Sequence, residues 1–352
     1  MNESLMKLTS KTATGFWNDS CDLEQLREAL EHGAVGATSN PVIVSAVIKS
    51  APGLWNPVID RLILAHPTAT EDDVAWKLIA ELGGRAAKLL MPEFRRSGGT
   101  GGRLSLQVNP KYFRDAAAMV AQAEELNGVT PNVAIKMPVV PAALLAIEEA
   151  TSKGIVVTPT VCFSVSQAVA AAEAVERGLD RAKKAGIDIC PMRPNVAIMV
   201  GRLDDHLKRV MESEKISIDP GCLEWAGVAV FKRAYQIFRK RGFRSVLLAA
   251  AYRNHMQWSE FIGGEVNVSI PYSWWKRFNA SNIEVKSRID TPVHTEIISL
   301  LEANFPDFRR AYEPDGMSPE EFISFGATVH TLKQFISAYH DLLALIRERM
   351  IR

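Results

Sequence analysis

Short runs of β-branched and apolar residues alternate along this chain with longer segments in which apolar residues recur every three or four positions. The short runs are typical of strands, and the longer segments have the period of helices. The predicted strands are residues 14–18, 34–38, 103–108, 133–139, 154–158, 195–200, 245–250 and 265–268. The predicted helices include residues 22–32, 71–95, 110–125, 142–152, 164–185 and 222–240.

About eight strands that alternate with helices indicate parallel βαβ units, which a chain of 352 residues can close into a (β/α)8 TIM barrel. The alternative is an open doubly wound sheet, which usually has a glycine-rich phosphate-binding turn after its first strand. The residues after the first strand here, 19–22, contain no glycine. The glycine-rich segment 97–102 precedes a strand and lacks the Gly-Lys-Ser/Thr ending of a phosphate-binding loop, so we interpret it as a flexible loop.

The stretch beyond about residue 281 has a helical pattern. Ser318, Pro319 and Glu321 form the N-cap, N1 and N3 positions of a capping box. The apolar positions that follow at helical spacing are Phe325, Val329, Leu332, Phe335, Tyr339, Leu343 and Ile346. We expect residues 281–352 to be helices packed on the barrel within a single domain, 1–352, and a helix across the barrel mouth stays an open alternative.

Composition narrows the function classes. The 41 basic and 40 acidic residues give a net charge of +1, which provides no global field for nucleic acid or an anionic membrane. The amino-terminal segment has no signal-peptide core, and no run of about 18 apolar residues occurs. Four cysteines without CxxC spacing indicate neither disulfides nor zinc, and a cytoplasmic location is expected. The seven dispersed histidines and the lack of a nicotinamide fingerprint predict no metal and no cofactor.

Lys136 stands out in the fourth predicted strand. Because successive side chains of a strand point to opposite faces, Val133, Ile135 and Met137 are predicted to face the helices, and Ala134 and Lys136 the barrel interior. A lysine is seldom buried without a partner or a function. The pattern alone leaves two interpretations open, an ion pair with an interior carboxylate or a reactive amine.

The chemistry of a buried amine favours the second interpretation in an enzyme of ketoses. A neutral amine attacks a ketose carbonyl, and the protonated imine then takes up the electron pair of a breaking carbon–carbon bond. An amine with a pKa of about 10.4 is almost wholly protonated at pH 7, and loss of contact with water lowers that pKa.

The chain resembles the transaldolase family through a set of motifs that occur in the family's order between about residues 14 and 271. These motifs are Phe16-Trp17-Asn18-Asp19-Ser20, Ala37-Thr38-Ser39-Asn40-Pro41, Ser105-Leu106-Gln107-Val108, Ala134-Ile135-Lys136-Met137-Pro138, Thr158-Pro159-Thr160-Val161-Cys162-Phe163-Ser164, Val200-Gly201-Arg202-Leu203-Asp204 and Ala251-Tyr252-Arg253-Asn254. The resemblance implies a class I, Schiff-base transaldolase of the pentose phosphate pathway, which transfers a dihydroxyacetone unit from a ketose phosphate to an aldose phosphate. It also implies a possible homodimer.

Polar residues of these motifs fall at or near the carboxyl ends of the predicted strands, where barrel enzymes place their active sites. They are Asp19, Asn40, Gln107, Lys136, Thr160, Arg202 and Arg253. The resemblance implies that Lys136 is the Schiff-base residue and that Asp19 is the general acid/base. Gln107 and Thr160 then position water, Asn40 and Thr158 contact the substrate, and Arg202 and Arg253 bind its phosphate.

Each of these residues also has an ordinary structural interpretation. Asp19 could cap the helix that starts near Asp22, and Asn40 could be a turn residue before Pro41. Thr160 could be a plain strand threonine. The arginines could form surface ion pairs, for which Arg202 has Asp204 and Asp205 close in sequence.

Four positions depart from the family's pattern. Gln107 replaces a glutamate, as it does in the related fructose-6-phosphate aldolase branch, and an amide cannot accept a proton at neutral pH. Met199 stands where that branch has a tyrosine. Thr158 replaces an asparagine, and Ala197 replaces a serine. Two alternatives therefore remain, an aldolase that releases free dihydroxyacetone and a non-catalytic barrel that binds sugar phosphates.

We expect fructose 6-phosphate to be a poor donor, because the residues at 158 and 197 remove two polar contacts and each unmatched hydroxyl costs binding free energy. Steady-state assays against a typical transaldolase measure this, and comparable turnover of fructose 6-phosphate contradicts it.

Overall fold

The computed structural model describes residues 3–352, and its centre is one parallel sheet of eight strands in the order β5-β4-β3-β2-β1-β8-β7-β6. The strands are β1 Gly15–Asn18, β2 Gly36–Thr38, β3 Arg103–Gln107, β4 Val133–Pro138, β5 Val157–Thr160, β6 Asn195–Ile198, β7 Val246–Ala249 and β8 Asn267–Ile270. A parallel bridge between Cys162 and Ile198 joins the two end strands, and Met199 N donates to Cys162 O at 2.9 Å. The sheet therefore curves into a nearly closed barrel, as the alternating pattern predicts.

Helices surround the strands. They are α1 Leu5–Thr9, α2 Leu23–Glu31, α3 Pro41–Ser50, α4 Pro52–Ala65, α5 Glu71–Arg96, α6 Ala116–Asn127, α7 Pro141–Ser152, α8 Val165–Lys184, α9 Val200–Glu214, α10 Ala226–Arg241, α11 Met256–Ser259, α12 Tyr272–Asn279, α13 Thr295–Asn304, α14 Pro306–Tyr312 and α15 Gly326–Met350. Short 3-10 turns occur at Pro110–Tyr112, Pro220–Trp225 and Pro319–Glu321. Together these elements form a (β/α)8 TIM-barrel-like fold with additional C-terminal helices.

Hydrogen bonds between strands that are not neighbours show which side chains point into the barrel. Ser105 Oγ on β3 lies 3.0 Å from Thr158 Oγ1 on β5, across the intervening β4. Asn267 Nδ2 on β8 donates to Asn195 Oδ1 on β6 at 2.6 Å, across β7. Such bonds can only cross the interior, so the inside of this barrel is partly polar, and these four side chains are paired with one another.

The local sequence explains where the helices begin. Asp22 caps α2, because its Oδ1 accepts from the backbone N of Glu24 and of Gln25 at 3.0 and 2.9 Å. Asn40 caps α3 in the same way, with Oδ1 accepting from Ile43 N at 3.0 Å, and Pro41 occupies the first position of that helix.

Several boundaries differ from the predicted ones. The predicted strand 154–158 lies at Val157–Thr160, where Pro159 interrupts the apolar pattern but is tolerated because β5 is an end strand of the sheet. The predicted strand 265–268 lies at Asn267–Ile270. The predicted helices 110–125 and 222–240 each begin with a 3-10 turn, and the capping box at Ser318 starts a 3-10 turn that precedes α15.

The C-terminal helices pack on the barrel. Leu301, Phe308 and Phe335 are fully buried and belong to the same hydrophobic core as the barrel helices. Within residues 3–352 no single helix is long and apolar enough to cross a membrane. The pair α3 and α4 together has that length and composition, and the chain bends by 107° between these two helices.

Replacing Gly102 by alanine is expected to lower the free energy of unfolding by about 2–5 kcal/mol. Gly102 has a φ of +65°, and a Cβ there would lie 2.1 Å from Phe94 N. Gly98 is the matched control, since it has a φ of +61° but no atom within 4 Å of the place that a Cβ would take. Replacing Gly98 by alanine should lower the free energy of unfolding by only about 1 kcal/mol, because it carries the penalty for left-handed backbone but no steric clash. Urea denaturation measures both, and equal losses contradict the steric explanation.

Candidate active site

Lys136 lies near the carboxyl end of β4, and its side chain points into the barrel. Its Nζ donates to the backbone oxygen of Ser39 at 3.0 Å, and only 5% of the residue is exposed. Within residues 3–352 it makes no ion pair, so the interpretation as half of an interior salt bridge does not describe this structure. Burial lowers the pKa of Lys136 from 10.5 to about 8, the charge of Asp19 opposes this shift, and that of Arg202 adds to it. A reactive neutral amine is therefore accessible near neutral pH.

Asp19 follows β1 directly and is fixed from both its backbone and its side chain. Its N donates to Ile270 O at 3.0 Å, and its Oδ1 accepts a hydrogen bond of 2.6 Å from Thr38 Oγ1. Ser269 Oγ lies 2.6 Å from the same Thr38 hydroxyl. The cap of α2 is Asp22, so Asp19 has no capping role.

Burial raises the pKa of the Asp19 carboxyl, against the opposing effects of Lys136, the Thr38 hydrogen bond and Arg202. Part of the residue still reaches solvent. A carboxyl group in this setting is suited to take up and return a proton close to the amine of Lys136.

Gln107 and Thr158 flank Lys136 on the neighbouring strands. The parallel register pairs Gln107 with Lys136 and Lys136 with Thr158. Gln107 is 5% exposed, and its buried Oε1 has no hydrogen-bond partner among the described residues. Thr158 Oγ1 is engaged with Ser105 Oγ. Thr160, the last residue of β5, is also buried and lies closer to the barrel mouth than Thr158.

Asn40 lies at the mouth, but it has a structural role that the sequence left open. Its Oδ1 caps α3, and its Nδ2 group, which has no part in the cap, is available to a ligand. Asn40, Gln107, Trp76 and Tyr339 line one small cavity of about 10 Å³, roughly the space of one water molecule.

The two arginines lie next to each other at the mouth but have different partners. Arg253 forms an ion pair with Asp205, with Nη2–Oδ2 at 2.7 Å and Nε–Oδ1 at 3.1 Å. Arg202 does not use either nearby aspartate. Asp204 is buried and accepts from Gly227 N at 2.8 Å and Gln257 Nε2 at 2.6 Å.

Arg202 instead contacts the C-terminal helix. Its Nη1 donates to Thr331 Oγ1 at 3.4 Å and to Gln334 Oε1, and its guanidinium lies 5.4 Å from the centre of the Phe335 ring. Burial first, and the charge of Arg253 second, lower the pKa of Arg202 to about 10. Of these two neighbouring guanidinium groups only Arg253 is paired with a carboxylate among the described residues, so the pair favours the binding of an anion.

The backbone at the mouth adopts an uncommon conformation at two non-glycine residues. Val161, directly after β5, has a φ of +52°, and Ala251, just after β7, has a φ of +65°. Left-handed backbone is costly for a β-branched residue and tends to occur at functional sites. Both positions lie within the motifs of the sequence, beside Thr160 and Arg253.

Three groups of the site were missed by the sequence reasoning. Thr38 donates to Asp19 and Ser269 contacts the Thr38 hydroxyl, and their position near strand ends was a signal that could have identified them. Tyr252 lies inside one of the motifs; its Oη is buried without a partner among the described residues, and burial raises its pKa well above the usual value, with Asp19 adding to the shift. Thr331 and Gln334 on α15 gave no local signal.

Comparisons with known proteins find similar sequences over most of the chain. The family described as Transaldolase/Fructose-6-phosphate aldolase matches residues 16–342. Transaldolase 1 of Streptomyces avermitilis is 28% identical over 269 residues, which cover 73% of this chain and 70% of that protein. Transaldolase 1 of Streptomyces coelicolor is 32% identical over 62% of this chain and 58% of that protein. The transaldolase of Thiobacillus denitrificans is 28% identical over 73% of this chain and 74% of that protein.

Replacing Lys136 by methionine is expected to raise the free energy of unfolding at pH 7 by roughly 1–3 kcal/mol, because the folded chain no longer buries an ammonium group. The folded pKa of about 8 lies below the ordinary 10.5. Between these values the unfolded chain binds more protons, so the native protein gains stability as pH rises and the advantage of the variant disappears above about pH 10.5.

Urea denaturation at pH 7 and at pH 10 measures the effect. The control is Lys333→Met at an exposed position of α15, which should change little at either pH. A Lys136→Met variant that is less stable than the native protein at pH 7 contradicts the account.

Proposed function

Because this chain belongs to the transaldolase/fructose-6-phosphate aldolase family, we propose that it transfers a dihydroxyacetone unit from a ketose phosphate to an aldose phosphate through an imine on Lys136. The observation that carries this proposal is the Lys136 amine, which is buried without an ion pair among residues 3–352, has a pKa lowered to about 8 and lies within the electrostatic reach of Asp19.

The first steps form the imine. The neutral Nζ of Lys136 attacks the ketose carbonyl carbon, a bond to nitrogen forms, and the carbonyl oxygen leaves as water after taking up protons. Asp19, whose pKa is raised by burial, is placed to supply one of those protons. The product is a protonated imine at the carbon that carried the carbonyl group.

Cleavage then breaks a carbon–carbon bond. This bond joins the carbon attached to the imine carbon to the next carbon, which carries a hydroxyl and departs. Asp19 as carboxylate takes the proton from the hydroxyl on the departing carbon, which becomes the aldehyde of an aldose phosphate. The electron pair of the broken bond moves into the imine and leaves an enamine of dihydroxyacetone on Lys136. Reaction with a second aldose phosphate reverses these steps, and hydrolysis then frees the amine.

Binding of the substrate falls to the polar groups at the mouth. Arg202 and Arg253 bind the phosphate. Arg253 is paired with Asp205, so it must either contact both anions or release Asp205 when the phosphate binds. Asn40 offers its Nδ2 group to a hydroxyl, and Thr158 and Thr160 contact the substrate or the water that carries protons.

Gln107 favours a second candidate within the same chemistry, an aldolase that releases free dihydroxyacetone. An amide positions water next to Lys136 but does not relay a proton as a carboxyl group does. Met199 argues against that candidate, because it is buried at the start of α9 and has no hydroxyl to donate.

We propose further that residues 281–352 belong to the same domain as the barrel. Phe305 and Phe335 are buried in one continuous core with the barrel helices. A separate domain would instead have its own core.

Trapping of the imine tests the proposed function. The chain is incubated with a series of ketose phosphates and reduced with borohydride, and peptides are analysed by mass spectrometry. We expect a dihydroxyacetone-sized addition on Lys136 in the native chain, no addition in Lys136→Met and none on the exposed Lys333.

The products separate the alternatives. Free dihydroxyacetone without an acceptor identifies an aldolase, and its appearance only as a new ketose phosphate identifies a transaldolase. No adduct with any donor rejects the imine mechanism and leaves a sugar-phosphate-binding barrel.

A further inference from the structure

We propose that α15 completes the phosphate site, with Gln334 as the positioning residue that holds the Arg202 guanidinium toward the barrel mouth. This proposal rests on the proposed function, because it assumes that Arg202 binds the phosphate of the substrate. Gln334 lies outside all the motifs that suggested the candidate site.

One face of α15 supports the guanidinium. Thr331, Gln334 and Phe335 are three and four residues apart, so they lie on the same side of the helix. Thr331 and Phe335 are buried, and both contact the Arg202 guanidinium. The Thr331 hydroxyl lies 3.4 Å from Nη1, and the centre of the Phe335 ring lies 5.4 Å from the guanidinium carbon. Gln334 is exposed, and its Oε1 accepts from the same Nη1 on the solvent side.

The amide of Gln334 is itself oriented. Its Nε2 lies 2.9 Å from His330 Nε2, one helical turn earlier on α15. With the nitrogen engaged there, the oxygen of the amide points to Arg202, which matches the need of a guanidinium for an acceptor.

The partners on α15 are neutral, and this is what leaves Arg202 ready for an anion. Within residues 3–352 Arg202 makes no ion pair, whereas the neighbouring Arg253 has Asp205. An amide oxygen orients a guanidinium without neutralising its charge, and a carboxylate in the same place would do both. The positive charge of Arg202 therefore remains available to a phosphate dianion.

The position of α15 does not depend on Arg202. Tyr339 Oη donates to Asp72 Oδ1 on α5 at 2.7 Å, and Arg349 Nε donates to Asp60 Oδ1 on α4 at 2.8 Å. Arg347 is paired with Glu71 at the start of α5. Because these contacts hold the second half of the helix, a change at the exposed Gln334 should leave α15 in place.

Binding of inorganic phosphate to the full chain, measured by titration calorimetry, tests this role without any need for catalysis. We expect Gln334→Glu to weaken phosphate binding by about tenfold, because the carboxylate occupies and neutralises Arg202. Gln334→Ala should weaken it by about threefold through loss of orientation. The matched control, Lys333→Glu, carries a charge change of the same sign on the neighbouring exposed residue and should stay within about twofold.

Steady-state kinetics provide the second readout. With a ketose phosphate that forms the trapped imine, Gln334→Glu should raise KM by a similar factor and leave kcat nearly unchanged, since the lost interaction is equal in ground and transition states. Borohydride trapping of unphosphorylated dihydroxyacetone on Lys136 should proceed as in the native chain.

Three results would overturn the proposal: no phosphate binding by the native chain, equal affinity of the native chain and Gln334→Ala, or equal weakening by Gln334→Glu and Lys333→Glu. None of them affects the imine on Lys136. Conversely, a failure to trap the imine leaves the phosphate titration interpretable, so the two proposals can fail separately.

Discussion

The burial of the Lys136 amine without an ion pair in the described part of the chain is the constraint on which the rest of the site depends. The Nζ of Lys136 has a backbone carbonyl as its hydrogen-bond partner, and that bond suits the neutral and the protonated amine alike. A carboxylate in direct contact would have kept the amine protonated and unreactive. Asp19 instead accepts a hydrogen bond from Thr38. Its charge opposes the lowering of the Lys136 pKa by burial, but it does not form an ion pair with Lys136.

The polar interior of the barrel makes this arrangement stable. Hydroxyl and amide side chains on alternate strands bond across the barrel, as Ser105 does with Thr158 and Asn267 with Asn195. Neutral groups of this kind satisfy one another without introducing charges that would shift the pKa of Lys136 further. The ionisable groups Asp19 and Lys136 then lie at or near the carboxyl ends of the strands, above an interior whose neutral side chains are hydrogen-bonded across the barrel.

The outer part of the site is built from two different regions of the chain. The barrel supplies Arg202 and Arg253, and α15 supplies the neutral groups that surround Arg202. The two arginines have different partners, since Asp205 pairs with Arg253, whereas Arg202 contacts the neutral side chains of Thr331 and Gln334. The polarity of the mouth is thus set by contacts between residues that are remote from one another in sequence.

The sequence by itself determined the alternation of strands and helices, the barrel and the inward direction of Lys136, because the periods of two and 3.6 residues are local properties of the chain. It also placed Asp19 and Gln107 at strand ends on one face. Only the tertiary structure decided the partners of the two arginines: Asp205 pairs with Arg253, and Arg202 contacts Gln334 on α15. These contacts depend on distances between segments that are separated along the chain, and such distances have no local signature.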